Sequence, residues 1–69
     1  MLYHIFKSRY VYGGSFPGSR LSVGAYERIE DVEAFLKLKK ALYGNFETRY
    51  ETKPDEMGCY DLYIIEVEL

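Results

Sequence analysis

Arg28-Ile-Glu-Asp-Val-Glu-Ala-Phe-Leu-Lys-Leu-Lys-Lys-Ala-Leu-Tyr-Gly44 is the only stretch of the chain with a sustained helical period. At about 100° per residue, Ile29, Val32, Phe35, Leu36, Leu42 and Tyr43 gather on one arc, with Leu38 at its edge. Glu30, Glu33, Lys37 and Lys40 fall opposite. Acids crowd the first turns, bases crowd the last, and Gly44 stands where a helix usually stops. The spacing predicts a helix over 28–44. Arg28 is a poor N-cap, since Ser, Thr or Asp is preferred there, although Asp31 can assist the first turn. Lys39 falls inside the apolar arc, and the expectation is that its ammonium snorkels past a sheet edge. A helix with one apolar face needs a flat apolar partner, which the flanking segments must supply.

Those segments read as strands. Residues 2–12 are rich in aromatic and β-branched types. Leu2, His4, Phe6, Ser8 and Tyr10 share one face, and Tyr3, Ile5, Lys7, Arg9 and Val11 the other. Residues 13–20, Gly-Gly-Ser-Phe-Pro-Gly-Ser-Arg, form the clearest loop. Leu21, Val23 and Ala25 alternate with Ser22, Gly24 and Tyr26, which predicts a second strand with a small apolar core face. After the helix, Phe46, Thr48, Tyr50 and Thr52 alternate with Glu47, Arg49, Glu51 and Lys53, the pattern of a half-exposed edge strand. Residues 54–58 are a turn. Residues 59–69 make the last strand, with Tyr63, Ile65, Val67 and Leu69 toward the helix and Tyr60, Leu62 and Ile64 away from it. The fold class expected is α+β, β-β-α-β-β, a four-stranded mainly antiparallel sheet with one helix on one face. If strands two and three are parallel, the helical crossover between them is right-handed.

A chain of 69 residues is one domain, 1–69, burying only about 60% of the surface it would expose unfolded. Hydrophobic content of 48% argues against disorder. The net charge of −2, with both signs interspersed, lacks the basic stripe of a duplex-binding module and the acidic excess of a nucleic-acid mimic. One cysteine, Cys59, leaves no internal disulfide framework and fits a reducing compartment. With no signal-peptide core and no apolar run of membrane-spanning length, the expected address is cytoplasmic, for a small protein complete without tails.

Candidate chemistry is sparse. His4 and Cys59 are the only residues able to form a Cys–His pair, and no third residue is spaced to orient them. One His and one Cys do not make a tetrahedral metal shell, so no metal site is read. The 13–20 loop lacks the Lys-Ser/Thr of a phosphate-binding loop and leads into a strand, so no nucleotide cofactor is read either. Arg9, Arg20, Arg28 and Arg49, interleaved with tyrosines, resemble a stacking surface for single-stranded nucleic acid. Neighbouring acids at Glu27, Glu30, Glu47 and Glu51 disfavour it.

The more informative feature is the second sheet face. One helix covers one face, and eight tyrosines without tryptophan are the aromatic set of a contact surface as much as of a core. The function expected is a non-enzymatic protein-interaction module, a small adaptor, regulator or inhibitor. It would act through the uncovered face and the 13–20 loop, on a protein partner or on a second copy. Tyr3, Ile5, Phe16, Tyr60, Leu62 and Ile64 are the expected contacts, with Arg20 as a polar anchor and with Leu62→Asp leaving the fold intact.

Overall fold

The computed structural model of the chain describes residues 1–11, 20–46 and 48–69. Its elements run β1 (Leu2–Val11), β2 (Leu21–Tyr26), α1 (Ile29–Leu38), β3 (Tyr43–Phe46), β4 (Arg49–Glu51) and β5 (Cys59–Glu68). The strands form one sheet in the order β2-β1-β5-β4-β3, and each neighbouring pair is antiparallel. This is the expected α+β architecture, an antiparallel sheet with one helix. Where one strand is predicted over 45–53, two short antiparallel strands stand instead, β3 and β4, paired with each other at the sheet edge. β2 and β3 occupy the two opposite edges, and the chain between them carries the helix over one face.

β1 and β5 are the frame. They pair along ten positions, from Leu2 opposite Glu68 to Val11 opposite Cys59. Side chains directly opposite in such a ladder share a face, so the register sorts both strands. Ile5 and Ile65 are opposite one another and belong to the core cluster with Tyr63, Val32, Leu36 and Ala41. Tyr3, Tyr26, Phe35 and Tyr50 pack around it. Phe35 is the hinge of the aromatic packing, with Tyr63 edge-on at 5.6 Å and Tyr26 tilted at 6.0 Å between ring centroids.

The helix is shorter than the 28–44 the periodicity predicts. It ends at Leu38, and Leu42 and Tyr43 lie beyond it, Leu42 exposed. The stop is a Schellman turn: the Lys40 N–H donates to the Lys37 carbonyl at 3.1 Å and the Ala41 N–H to the Leu36 carbonyl at 2.9 Å. Lys40 takes the left-handed position at φ 58°, where glycine is usual. The turn places Ala41 against Leu36 in the core, and that apolar contact holds the reversal in place of a glycine. Gly44 is not the cap. It stands in β3, where a Cβ would come within 2.9 Å of the Arg49 carbonyl oxygen, so its smallness serves the hairpin. At the other end Arg28 is indeed an uncapped N-cap, and Glu30 and Asp31 in the first turn offset the exposed amides electrostatically.

β2 departs from its predicted alternation. The ladder to β1 passes from Gly24 opposite Ile5 to Ser22 opposite Phe6, which leaves Val23 as the extra residue of a bulge. The inserted residue shifts the phase, so Leu21, Val23 and Ala25 are not a core face. Leu21 and Ala25 are exposed and Val23 largely so, and Tyr26 supplies the strand's contact with the core.

Candidate interaction surface

Length decides what the helix covers. Ten strand residues span about 33 Å, whereas ten helical residues span about 15 Å. One half of the helix-side face is therefore left to other groups, and they are charged. Arg9 donates from Nη1 to Asp61 Oδ1 at 3.3 Å and from Nη2 to Asp55 Oδ2 at 3.4 Å, with Lys7 Nζ 3.9 Å from Asp61 Oδ2. Arg9, Asp55 and Asp61 border an open cleft of about 300 Å³ that Lys39, Lys40 and Lys53 also line. Lys39 lies outside the helix as its exposed C-cap, and its ammonium is 5.8 Å from the Phe35 ring centre.

The turn leading into β5 is organised by Asp55. Its carboxylate accepts the Met57 and Cys59 backbone N–H groups, each at 2.9 Å. The Cys59 N–H foremost, then the Met57 N–H, the Arg9 guanidinium and the Gly58 N–H, hold this carboxyl below its ordinary value of 3.8 against a smaller opposing effect of desolvation. Beneath it, Thr52 binds Asp61 twice, donating its N–H to the Asp61 carbonyl at 3.0 Å and accepting the Asp61 N–H on Oγ1 at 2.8 Å. On the covered side, burial pushes the Tyr63 phenol above the usual 10.0, with the Asp61 charge adding to it.

The second sheet face carries Leu2, His4, Phe6, Ser8 and Tyr10 of β1 and Tyr60, Leu62, Ile64, Glu66 and Glu68 of β5. Among the described residues no helix or strand packs over it. Tyr10 and Tyr60, directly opposite, stack with their planes 10° apart and their centroids at 5.5 Å. At the other end the Arg20 guanidinium lies 3.9 Å from the Phe6 ring centre and donates to Glu66 Oε2 at 2.6 Å. His4 Nε2 is 2.7 Å from Glu68 Oε2. Between these groups Ser8 and Leu62, opposite one another, are 7% and 2% exposed. Half-buried Phe6, Tyr10, Tyr60 and Ile64 surround them.

The register places some of the expected contact residues on the second face and others on the helix side. Tyr60, Leu62 and Ile64 lie on the second face, as their alternation indicates, and Arg20 reaches it from the start of β2. Tyr3 and Ile5 do not. The register sets them opposite Val67 and Ile65 on the helix side, where Ile5 is fully buried. Leu62 is on the right face but closed to a partner, so Leu62→Asp would bury a carboxylate and unfold the chain. Phe16 lies outside the described residues. Phe6 and Tyr10 belong to the face and were not among the expected contacts. Their shared parity with Ser8 was the available signal, masked because both faces of β1 carry apolar residues.

His4 and Cys59 are on paired strands but at opposite ends of them, His4 opposite Glu66 and Cys59 opposite Val11. Among the described residues no three His, Cys, Asp or Glu side chains gather as a metal-binding group. No helix among them is long and apolar enough to cross a membrane. Comparison of the chain with protein families, with curated proteins and with solved structures finds no match.

Proposed function

We propose that the chain is a protein-interaction module without catalytic activity, and that its second sheet face is the contact surface. The supporting observation is the row Phe6, Ile64, Tyr60 and Tyr10, apolar and aromatic side chains left half-exposed on a face that no described element covers. Arg20, fixed by Glu66 and Phe6, gives that row a positioned charged neighbour. Rigid aromatic groups lose little conformational entropy on binding, and a guanidinium held by its own carboxylate is preorganised. A small adaptor, regulator or inhibitor has this form.

The test is capture from a lysate of the producing organism, with wild-type protein and Ile64→Lys as paired baits. The expected result is one stoichiometric protein retained through nuclease treatment and lost with Ile64→Lys, whose circular dichroism matches wild type. Equal capture by both baits would remove the sheet face from consideration.

A second reading, single-stranded nucleic acid, is favoured by one observation, the cleft lined by Arg9, Lys39, Lys40 and Lys53. Three of the four arginines expected to carry it are paired with carboxylates: Arg9 with Asp55 and Asp61, Arg20 with Glu66, and Arg28 with Glu30. Binding of labelled oligonucleotides that weakens steeply with salt and is lost in Lys40→Glu would support this reading. No binding at low salt would eliminate it.

A further inference from the structure

We propose that β2 pairs, antiparallel, with β2 of a second copy of this chain, joining two sheets edge to edge. This deepens the interaction-module reading by naming a partner, and it rests on that reading only in kind, because it uses the sheet edge and not the face.

β2 is a six-residue edge strand, Leu21-Ser-Val-Gly-Ala-Tyr26, containing no charged residue and no proline. Such an edge keeps alternate backbone N–H and C=O groups available to another strand; lysine, proline, shortness or a bulge ordinarily blunts it, and of these β2 carries only the bulge at Val23. The opposite edge, β3, has four residues and its own irregularity between Gly44 and Phe46. Leu21 at 59% exposure and Val23 at 36% leave apolar surface along β2.

The bulge makes the strand self-complementary. Opposite β1, Leu21, Gly24 and Tyr26 share the helix side with Lys7, Ile5 and Tyr3, whereas Ser22 and Ala25 share the second face with Phe6 and His4. A two-fold axis normal to the sheet must match like face to like face. In a regular strand only residues of equal parity share a face. The extra Val23 changes this: Leu21 can face Tyr26 of the second copy, and Ser22 its Ala25, with the bulges meeting at the axis. The same register continues outward to set Arg20 against Glu27 of the second copy, once at each end. Arg20 lies on the second face, and Glu27 follows the strand directly, exposed in the bend between β2 and the helix. Among the described residues its bonds to Glu66 run through Nη2, and a guanidinium has further donors with which to meet a second carboxylate. The charges flanking this uncharged strand therefore attract when it pairs with itself in the face-matched register.

Sedimentation of the full chain at low salt, over a concentration series, tests this with Glu27→Arg, Arg20→Glu and their mixture. Wild type is expected to dimerise. Each single reversal sets like charges together at both ends and should weaken the dimer on the order of tenfold. An equimolar mixture of the two variants should recover a heterodimer, since each Arg then meets a Glu. Ile64→Lys should leave the dimer unchanged. Because Arg20→Glu also removes the Glu66 pair, amide exchange on wild type gives a second measurement: alternate β2 amides should gain protection as concentration rises. A monomer at about millimolar concentration, a dimer indifferent to the reversals, one broken by Ile64→Lys, or β2 amides without added protection would each overturn the proposal.

Discussion

The two faces of this sheet are built from alternate residues of the same two strands, yet they are stabilised by different means. On the helix side, Ile5, Tyr63 and Ile65 are buried against Val32, Leu36 and Ala41, and exclusion of water from apolar surface dominates. On the second side, Ser8 and Leu62 are buried, and what surrounds them is a tyrosine stack, a guanidinium over Phe6 and ion pairs at Glu66 and Glu68. The first face gains from close packing where the helix covers it, and beyond the helix it offers a charged cleft. The second retains aromatic surface and positioned charge. One helix of about 15 Å on strands of about 33 Å makes this division unavoidable.

The largest effect should come from the covered face. Ile5→Ala leaves a cavity with the helix and β5 already close-packed around it, and a loss of about 3–4 kcal/mol in urea unfolding is expected. Leu62→Ala is the matching change on the second face. Its surroundings are half-exposed and can close in, so about 2–3 kcal/mol is expected. A cost equal to that of Ile5→Ala would mean that the second face is packed as tightly as the first, and the contrast would fail.

Smaller changes ask how the helix is held to its face. Lys40→Gly removes the left-handed strain at the Schellman turn but adds freedom to the unfolded chain, for a net gain of about 0.5–1 kcal/mol. A loss would show that the Lys40 side chain itself anchors the turn. The narrowest effect concerns Asp55, whose carboxyl is held below 3.8 in the folded chain. A depressed acid contributes stability that is present above its unfolded value and lost as pH falls through its folded value. Wild type should therefore lose stability below about pH 3.8, and Asp55→Asn should show a shallower loss over that acidic range in thermal melts at stepped pH. Parallel acid profiles would mean that the N–H groups of Met57 and Cys59 are held as well by an amide.

Much of the fold is legible from pattern. β1, β2 and β5, the helix start at Arg28 and the turn at 54–58 follow from alternation, periodicity and turn chemistry, each a local property. The helix end is not legible, because Leu42 and Tyr43 continue the apolar arc by coincidence of spacing while the turn at Lys40 and Ala41 ends the helix at Leu38. The candidate surface was half legible. Alternation within β5 separated Tyr60, Leu62 and Ile64 from Tyr63 and Ile65 correctly. It does not say which face of β1 joins them, and the register puts Phe6 and Tyr10 there in place of the expected Tyr3 and Ile5.

The sequence by itself determined the α+β class, the amphipathic helix and the two-faced last strand, because these depend on neighbours within a few residues. Tertiary structure alone decided which face of β1 meets the helix, that Leu62 is closed while Ile64 is half-buried, and that β3 pairs with β4. It also decided that Val23 shifts the phase of β2. Each of these is a matter of register between segments distant in the chain. A one-residue shift in register exchanges the two faces of a strand while leaving its sequence unchanged.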